Sequence, residues 1–239
     1  MNILALDTSD KVLSAALSVD NNYWYSEIDA GIKHSELLLE CIDGLCGTAG
    51  IRKSDLNLVA CAKGPGSFTG LRIGYSTAKG ICLALGIPLI AVSTLDCLAY
   101  PLSILSELVL PVIDAKKKCF FASFYREGSR ISEYLDVTPE TLFKMADKLK
   151  QSPTETILLT GSGAEMLYSH LSNNFPGNSM RVHPSFKRGI AKELLEISKS
   201  SILDNISGKP LPANLWIEVS TAGSGPEYLR QSDAESNWI

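Results

Sequence analysis

The segment NILALDTSDKVLSAALSVDNNYWYSEI, residues 2–28, is three β-type runs cut by Ser9-Asp10-Lys11 and Asp20-Asn21-Asn22. The runs Asn2 to Thr8, Val12 to Val19 and Tyr23 to Ile28 are separated by strong turn formers, which predicts an antiparallel meander. Beyond it, residue patterning predicts a helix from about His34 to Cys46, an apolar strand near Leu58 to Ala62, a helix from Thr69 to Leu85 and a strand from Pro88 to Val92. The order β-β-β-α-β-α-β is that of a ribonuclease H-like half.

The remainder begins in the same way. Strands are expected at Leu108 to Ile113, Cys119 to Arg126 and Ile131 to Val137, then a helix at Pro139 to Gln151, a strand at Glu155 to Leu159 and a helix at Ser185 to Leu203. Two similar halves predict an α/β protein of duplicated ribonuclease H-like domains, residues 1–105 and 106–239, with mixed sheets flanked by helices. The tail from Gly208 carries Pro210, Pro212 and Gly223-Ser224-Gly225-Pro226 and is expected to be irregular.

A chain of 239 residues, 45% apolar and 20% charged, can bury a large core. Its net charge of −4 argues against holding nucleic acid over a broad surface, because phosphate binding needs concentrated Lys and Arg. Lys116, Lys117 and Lys118 form the single basic triplet, between two predicted strands, where a solvated turn competes with a contact to RNA. The first residues read as a buried strand with an acid at Asp7, and no run nears the ~20 apolar residues of a membrane span, so a cytoplasmic protein is expected. The six cysteines form no C-x-x-C pair and read as reduced core thiols.

Residues 64–74, GPGSFTGLRIG, lie between a predicted strand and a predicted helix, where exposed amides can hold an anion. Leu71 and Arg72 follow Gly70 where a phosphate-binding Walker loop requires Lys and Ser or Thr, and Thr69 stands at the third glycine of the dinucleotide fingerprint. The competing reading is structural: Ser67 or Thr69 caps the helix and the glycines permit close packing. His34, His170 and His183 make no metal signature, and neither H-E-x-x-H nor G-x-S-x-G is present to support a metalloprotease or a serine hydrolase.

ILALDTS at 3–9, KHSELLL at 33–39 and GPGSFTGLRIGYSTAKG at 64–80 together resemble the TsaB (YeaZ) family, with further agreement from PVIDAKK at 111–117 and PEYLR at 226–230. The resemblance implies the actin-like, sugar-kinase-like ATPase superfamily and a sibling of TsaD, the catalytic subunit that makes threonylcarbamoyladenosine in tRNA. The metal-binding H-x-x-x-H of that sibling falls on Thr94 and Leu98, neither of which can ligate a metal. Asp7 occupies the place of the superfamily's phosphate-side acid, with Thr8 and Ser9 as oxyanion donors beside it. The alternative is a strand-end turn in which Asp7 caps amides.

The implied role is a non-catalytic dimerisation or scaffold subunit, with TsaD and the ATPase TsaE as partners and tRNA reached through the complex. A homodimer is open to the isolated chain. ATP and metal are expected in the partner subunits and none on this chain alone. The rival reading is an actin-like-fold ATPase or small-molecule kinase working through Asp7 and the loop at 64–70. Leu37, Leu38, Leu39, Cys41, Ile42, Leu45 and Cys46 spread over roughly 200° of the first helix, about twice a core-facing stripe. Gly70, Gly74 and Ala78 recur every four residues on the second. His34, Leu38, Leu39, Ile42, Cys46, Gly70, Gly74 and Ala78 are therefore expected to form the partner interface.

Overall fold

In the computed structural model, which describes residues 1–175, 179–184, 188–206, 218–219 and 225, the chain forms two units. The first begins with β1 (Ile3–Asp7), β2 (Val12–Val19) and β3 (Asn22–Asp29), paired antiparallel as a meander. Helix α1 (His34–Ala49) leads to β4 (Leu58–Gly64), and α2 (Phe68–Leu85) leads to β5 (Leu89–Ser93). Because each helix carries the chain back across the sheet, β4 joins β1 and β5 joins β4 in parallel. The order is β5-β4-β1-β2-β3. Every residue of the central β1 is buried, whereas the edge strand β3 alternates between exposed and half-buried.

One face of this sheet packs Leu4, Leu6, Leu13 and Leu17 against Leu38, Ile42 and Leu45 of α1 and Tyr75, Ala78 and Cys82 of α2. The unit division falls inside the short helix α3 (Thr94–Ala99).

The second unit repeats the plan. It comprises β6 (Leu108–Asp114), β7 (Phe120–Ala122), the small hairpin β8 (Tyr125–Arg126) and β9 (Ser129–Arg130), β10 (Leu135–Val137), α4 (Pro139–Leu149), β11 (Ile157–Thr160), α5 (Ala164–Asn174) and β12 (Met180–Val182). Its order, β10-β7-β6-β11-β12, is the first sheet's order with the same parallel and antiparallel pairings. The protein is a duplicated ribonuclease H-like α/β fold. The turn from β6 to β7 takes Lys116, Lys117 and Lys118 through left-handed backbone, φ 61°, 52° and 61°. For residues with a Cβ this conformation costs about 1–2 kcal/mol each.

The units are not the continuous halves 1–105 and 106–239. Residues 188–206 belong with residues 1–97, and the second unit starts at Leu98. The reason is α6 (Ala191–Ile206), whose Ala191, Leu194, Leu195 and Ile197 are buried against β1, β2 and β4, covering the face that α1 and α2 leave open. Residues 218–219, β13, pair antiparallel with β5 at the sheet's other edge. Gly225 apart, the rest of the expected irregular tail, PEYLR included, lies outside the described residues, as does the expected helix start at Ser185.

Gly189 is where the returning chain touches the sheet: a Cβ added there would stand 2.3 Å from both Cβ and Oγ of Ser14. Gly189→Ala is therefore expected to destabilise the protein by about 1–3 kcal/mol through overpacking. A urea midpoint equal to wild type would show that α6 does not seat on β2 in this way.

Candidate functional site

Strand β1 ends at Asp7, which is 2% exposed and sits under the start of α6. Its Oδ1 accepts from the Ser9 amide at 2.9 Å and the Ser9 hydroxyl at 2.6 Å. Its Oδ2 accepts from the Ile190 amide at 3.1 Å and, more weakly, from the Ser14 hydroxyl at 3.4 Å. Ser14 Oγ in turn accepts from the Ala191 amide at 3.1 Å. Asp7 and Ser14 thus act as caps supplied from the sheet to the N-terminus of α6, where amides need acceptors and the helix dipole favours an anion.

Burial pushes the Asp7 carboxyl above its ordinary range, against the bonds from Ser9 and Ile190 that pull it down. Glu193, in the first turn of α6, is raised mainly by burial and further by Asp7 and Glu27, and its Oε2 has no hydrogen-bond partner among the described residues. Neither Ser14 nor Glu193 is singled out by its local sequence. The contact joins residues 183 apart in the chain, and no short motif spans that distance.

Thr8 and Ser9 are also engaged. The Thr8 hydroxyl donates to the Gly70 carbonyl at 2.7 Å, and the Ser9 carbonyl accepts from the Ser67 amide at 2.7 Å. Ser67 caps α2 by accepting from the Gly70 amide at 3.2 Å. A Cβ on Gly70 would lie 2.0 Å from the Thr8 carbonyl oxygen, and one on Gly74 would lie 2.2 Å from Thr8 Oγ1. These glycines let α2 lie directly on the turn after β1.

This corrects the expected groove. Gly70 and Gly74 face inward onto Thr8, and Ala78 is fully buried in the core, because a four-residue repeat puts all three on the face that the sheet needs. On α1, His34, Leu38, Ile42 and Cys46 are buried as well, leaving Leu39, 54% exposed, as the outward member of the expected interface set. The broad apolar arc of α1 is mostly core. His34 Nε2, at the helix start, has no hydrogen-bond partner among the described residues.

What α1 and α2 present outward is a groove of about 380 Å³ lined by Ser35, Leu38, Leu39, Arg72, Ile73, Ser76 and Thr77. The Arg72 guanidinium lies over the Phe68 ring at 3.9 Å. Along the same helices, Gly44, Gly47 and Gly80 have nothing among the described residues within 4 Å of where a Cβ would stand. Thr94 and Leu98 lie on α3. His170 bonds Glu140 at 2.7 Å between α5 and α4, and among the described residues no group of three or more His, Cys, Asp or Glu is placed to hold a metal. All six cysteines are free thiols and five are buried. No helix among the described residues is long and apolar enough to cross a membrane.

Fold and strand-end geometry together define a duplicated ribonuclease H-like α/β protein whose turn after β1 is packed by its own chain. A family model described as TsaD, tRNA N6-adenosine threonylcarbamoyltransferase, matches residues 28–238. The tRNA threonylcarbamoyladenosine biosynthesis protein TsaB of Bacillus subtilis is 28% identical over 247 residues, spanning 100% of this chain and 98% of that one. Its counterpart in Buchnera aphidicola subsp. Schizaphis graminum is 30% identical over 207 residues, spanning 84% and 97%. Among solved structures, YeaZ from Pseudomonas aeruginosa superposes with a TM-score of 0.71 at 24% identity, covering 86% of this chain and 93% of that one. The chain belongs to the TsaB family.

The raised proton affinity of Asp7 has a definite sign. A carboxyl that binds its proton more tightly when folded gives stability that is complete below its unfolded value, near 3.8, and lost as pH rises through the folded value. Asp7→Asn removes that component, so the stability of wild type relative to the variant is expected to fall as pH rises from about 4 to 8. Urea midpoints across that range test this. A difference independent of pH would show that Asp7 titrates normally.

Proposed function

We propose that this protein acts in tRNA threonylcarbamoyladenosine biosynthesis as a non-catalytic cytoplasmic subunit that binds and supports the catalytic paralogue TsaD. TsaE is the third component, tRNA is met through the complex, and ATP and metal are held by the partners. The observation that carries this reading is the solvent face of α1 and α2. A glycine inside a helix is about 1 kcal/mol worse than alanine. Gly44 and Gly80 nevertheless stand mid-helix, and Gly47 in the last turn of α1, with nothing among the described residues that would collide with a side chain. A helix from another chain, approaching closely, gives them a reason.

The same helices expose Leu39 at 54% and Leu83 at 70%. The family model that matches this chain carries the transferase's description, so the partner shares the fold and can offer the counterparts of α1 and α2. Two such helix pairs meeting about a pseudo-twofold axis would bury the ~1,200–2,000 Å² of a specific complex. A second copy of this chain fits the same face when the paralogue is absent.

Support for a non-catalytic role comes from the bonds around Asp7, Thr8 and Ser9, which tie the groups a phosphate would use to Ile190, Gly70 and Ser67. An actin-like-fold ATPase or kinase would need those groups released. Calorimetry with ATP and magnesium is expected to give no heat with the isolated chain. Binding that disappears in Asp7→Ala would favour the kinase reading.

Leu39→Asp places a carboxylate in the proposed seam, and Gly80→Arg fills the open helix face with a long side chain. Both are expected to fold normally by circular dichroism and to weaken TsaD binding at least about tenfold, since an unpaired buried charge is costly. Gly47→Ala is expected to stabilise the isolated chain by up to about 1 kcal/mol. Wild-type affinity in both charged variants would place the interface elsewhere.

A further inference from the structure

The β6–β7 turn holds Lys116, Lys117 and Lys118 in consecutive left-handed conformations, all three exposed. Asn, Asp and Gly visit that region readily, and usually singly. Lysine brings nothing to such a backbone except its ammonium group.

The turn is braced. The Asp114 carboxylate accepts from the Lys116 amide at 2.8 Å and pairs with its ammonium at 2.6 Å. The Ala115 amide donates to the Cys119 carbonyl at 3.0 Å, and the Cys119 amide donates to the Lys116 carbonyl at 3.0 Å. Next to it lies the start of α5, which no side chain caps. The Gly163 amide donates to the Val112 carbonyl at 3.0 Å, and a Cβ on Gly163 would lie 3.0 Å from the Asp114 amide nitrogen. The positive end of the α5 dipole therefore adds to the field of the lysines.

We propose that the Lys116–Lys118 turn contacts the phosphate backbone of RNA, without reading bases. This rests on the function proposed above, in which the RNA is the tRNA presented to the complex. Lysines fix register on phosphates and carry no base code. The turn offers no exposed apolar side chain for a lipid surface, since Ala115 and Phe120 are buried. Its three lysine side chains are exposed, which suits an extended polyanion. In a chain of net charge −4, the patch makes the RNA contact local.

The test uses the complex with TsaD and a fluorescein-labelled tRNA transcript. Each lysine that neutralises a phosphate of a single strand releases roughly 0.7 of a counterion. Lys116 is already paired with Asp114. Lys117 is engaged as well, so the variant K116Q/K117Q/K118Q is expected to bind several-fold more weakly near 0.15 M salt, with a salt slope shallower by about 1. The variant K116N/K117N/K118G suits the left-handed backbone, so it is expected to melt higher and yet lose the same affinity. Sedimentation with TsaD measures pairing separately and is expected to be unchanged. Wild-type affinity and slope in both variants would overturn the proposal while unchanged pairing leaves the subunit reading in place. Absence of pairing by the wild type would remove that reading, and the same titration of the full chain alone would then judge the turn by its slope. A parallel titration with ATP separates free nucleotide: heat lost in both variants with unaltered tRNA binding would overturn the assignment to RNA.

Discussion

The carboxylate of Asp7 ties together parts of the chain that sequence separates widely. A buried carboxylate persists only if its oxygens find donors, because its desolvation is worth several kcal/mol. Here one donor is an amide 183 residues away, at the start of α6, and another is the Ser14 hydroxyl that also holds the Ala191 amide. The arrangement sets where α6 begins and which face of the first sheet it covers. Without it Ile3, Ala5 and Ala60, all at most 1% exposed, would lack part of their cover. Residues 188–206 therefore belong to the first unit even though they follow the whole second sheet in the chain.

The other side of the same turn governs α2. Thr8 inserts at Gly70 and Gly74, and Ser9 takes the Ser67 amide, so the donors and spaces of a glycine-rich loop are used to join a helix to a strand. A loop of this composition can cradle an anion when its amides are unengaged. Here a hydroxyl and two carbonyls of the chain occupy the approach. What α1 and α2 have left to offer is their outer surface, where glycines without neighbours among the described residues and two exposed leucines concentrate. Core packing and outer surface use different faces of the same helices. Glycine spacing alone does not tell them apart.

Period and turn chemistry made the first unit legible: the strand predicted at Val12 to Val19 is β2 to the residue, and the helices predicted from His34 and Thr69 start within a residue of α1 and α2. The second unit was less so, for local reasons. The single strand expected at Cys119 to Arg126 divides into β7, which pairs with β6 and β10, and β8, which pairs with β6 and β9. Helix α5 has no clear sequence signal because AEMLYSHLSNN is largely polar and follows Gly161-Ser162-Gly163, which resembles a loop, while β12 is only three residues long. At the site, Asp7 capping amides was one of two readings open in the sequence, and the partner amides were not visible at all. The interface reading placed Gly70, Gly74 and Ala78 outward on α2, where they face the turn after β1 and the core, since a hydrophobic wheel cannot say which small residues a turn will fill.

The duplication provides an internal control on what Asp7 does. Asp114 closes β6 as Asp7 closes β1, each at the end of the first strand of its sheet and beside the start of the second crossover helix. In both units a glycine lets that helix start against the strand: Gly70 meets the Thr8 carbonyl, and Gly163 meets the Asp114 amide. The fates of the acids differ because their covers differ. Asp7 lies beneath α6, is pushed up by burial and bonds backbone amides. Asp114 keeps a 21% exposed side chain and bonds the amide and ammonium of Lys116. The same strand-end position thus locks a helix in one unit and braces an exposed basic turn in the other. Position in the fold supplies the carboxylate, and what packs over it determines its chemistry.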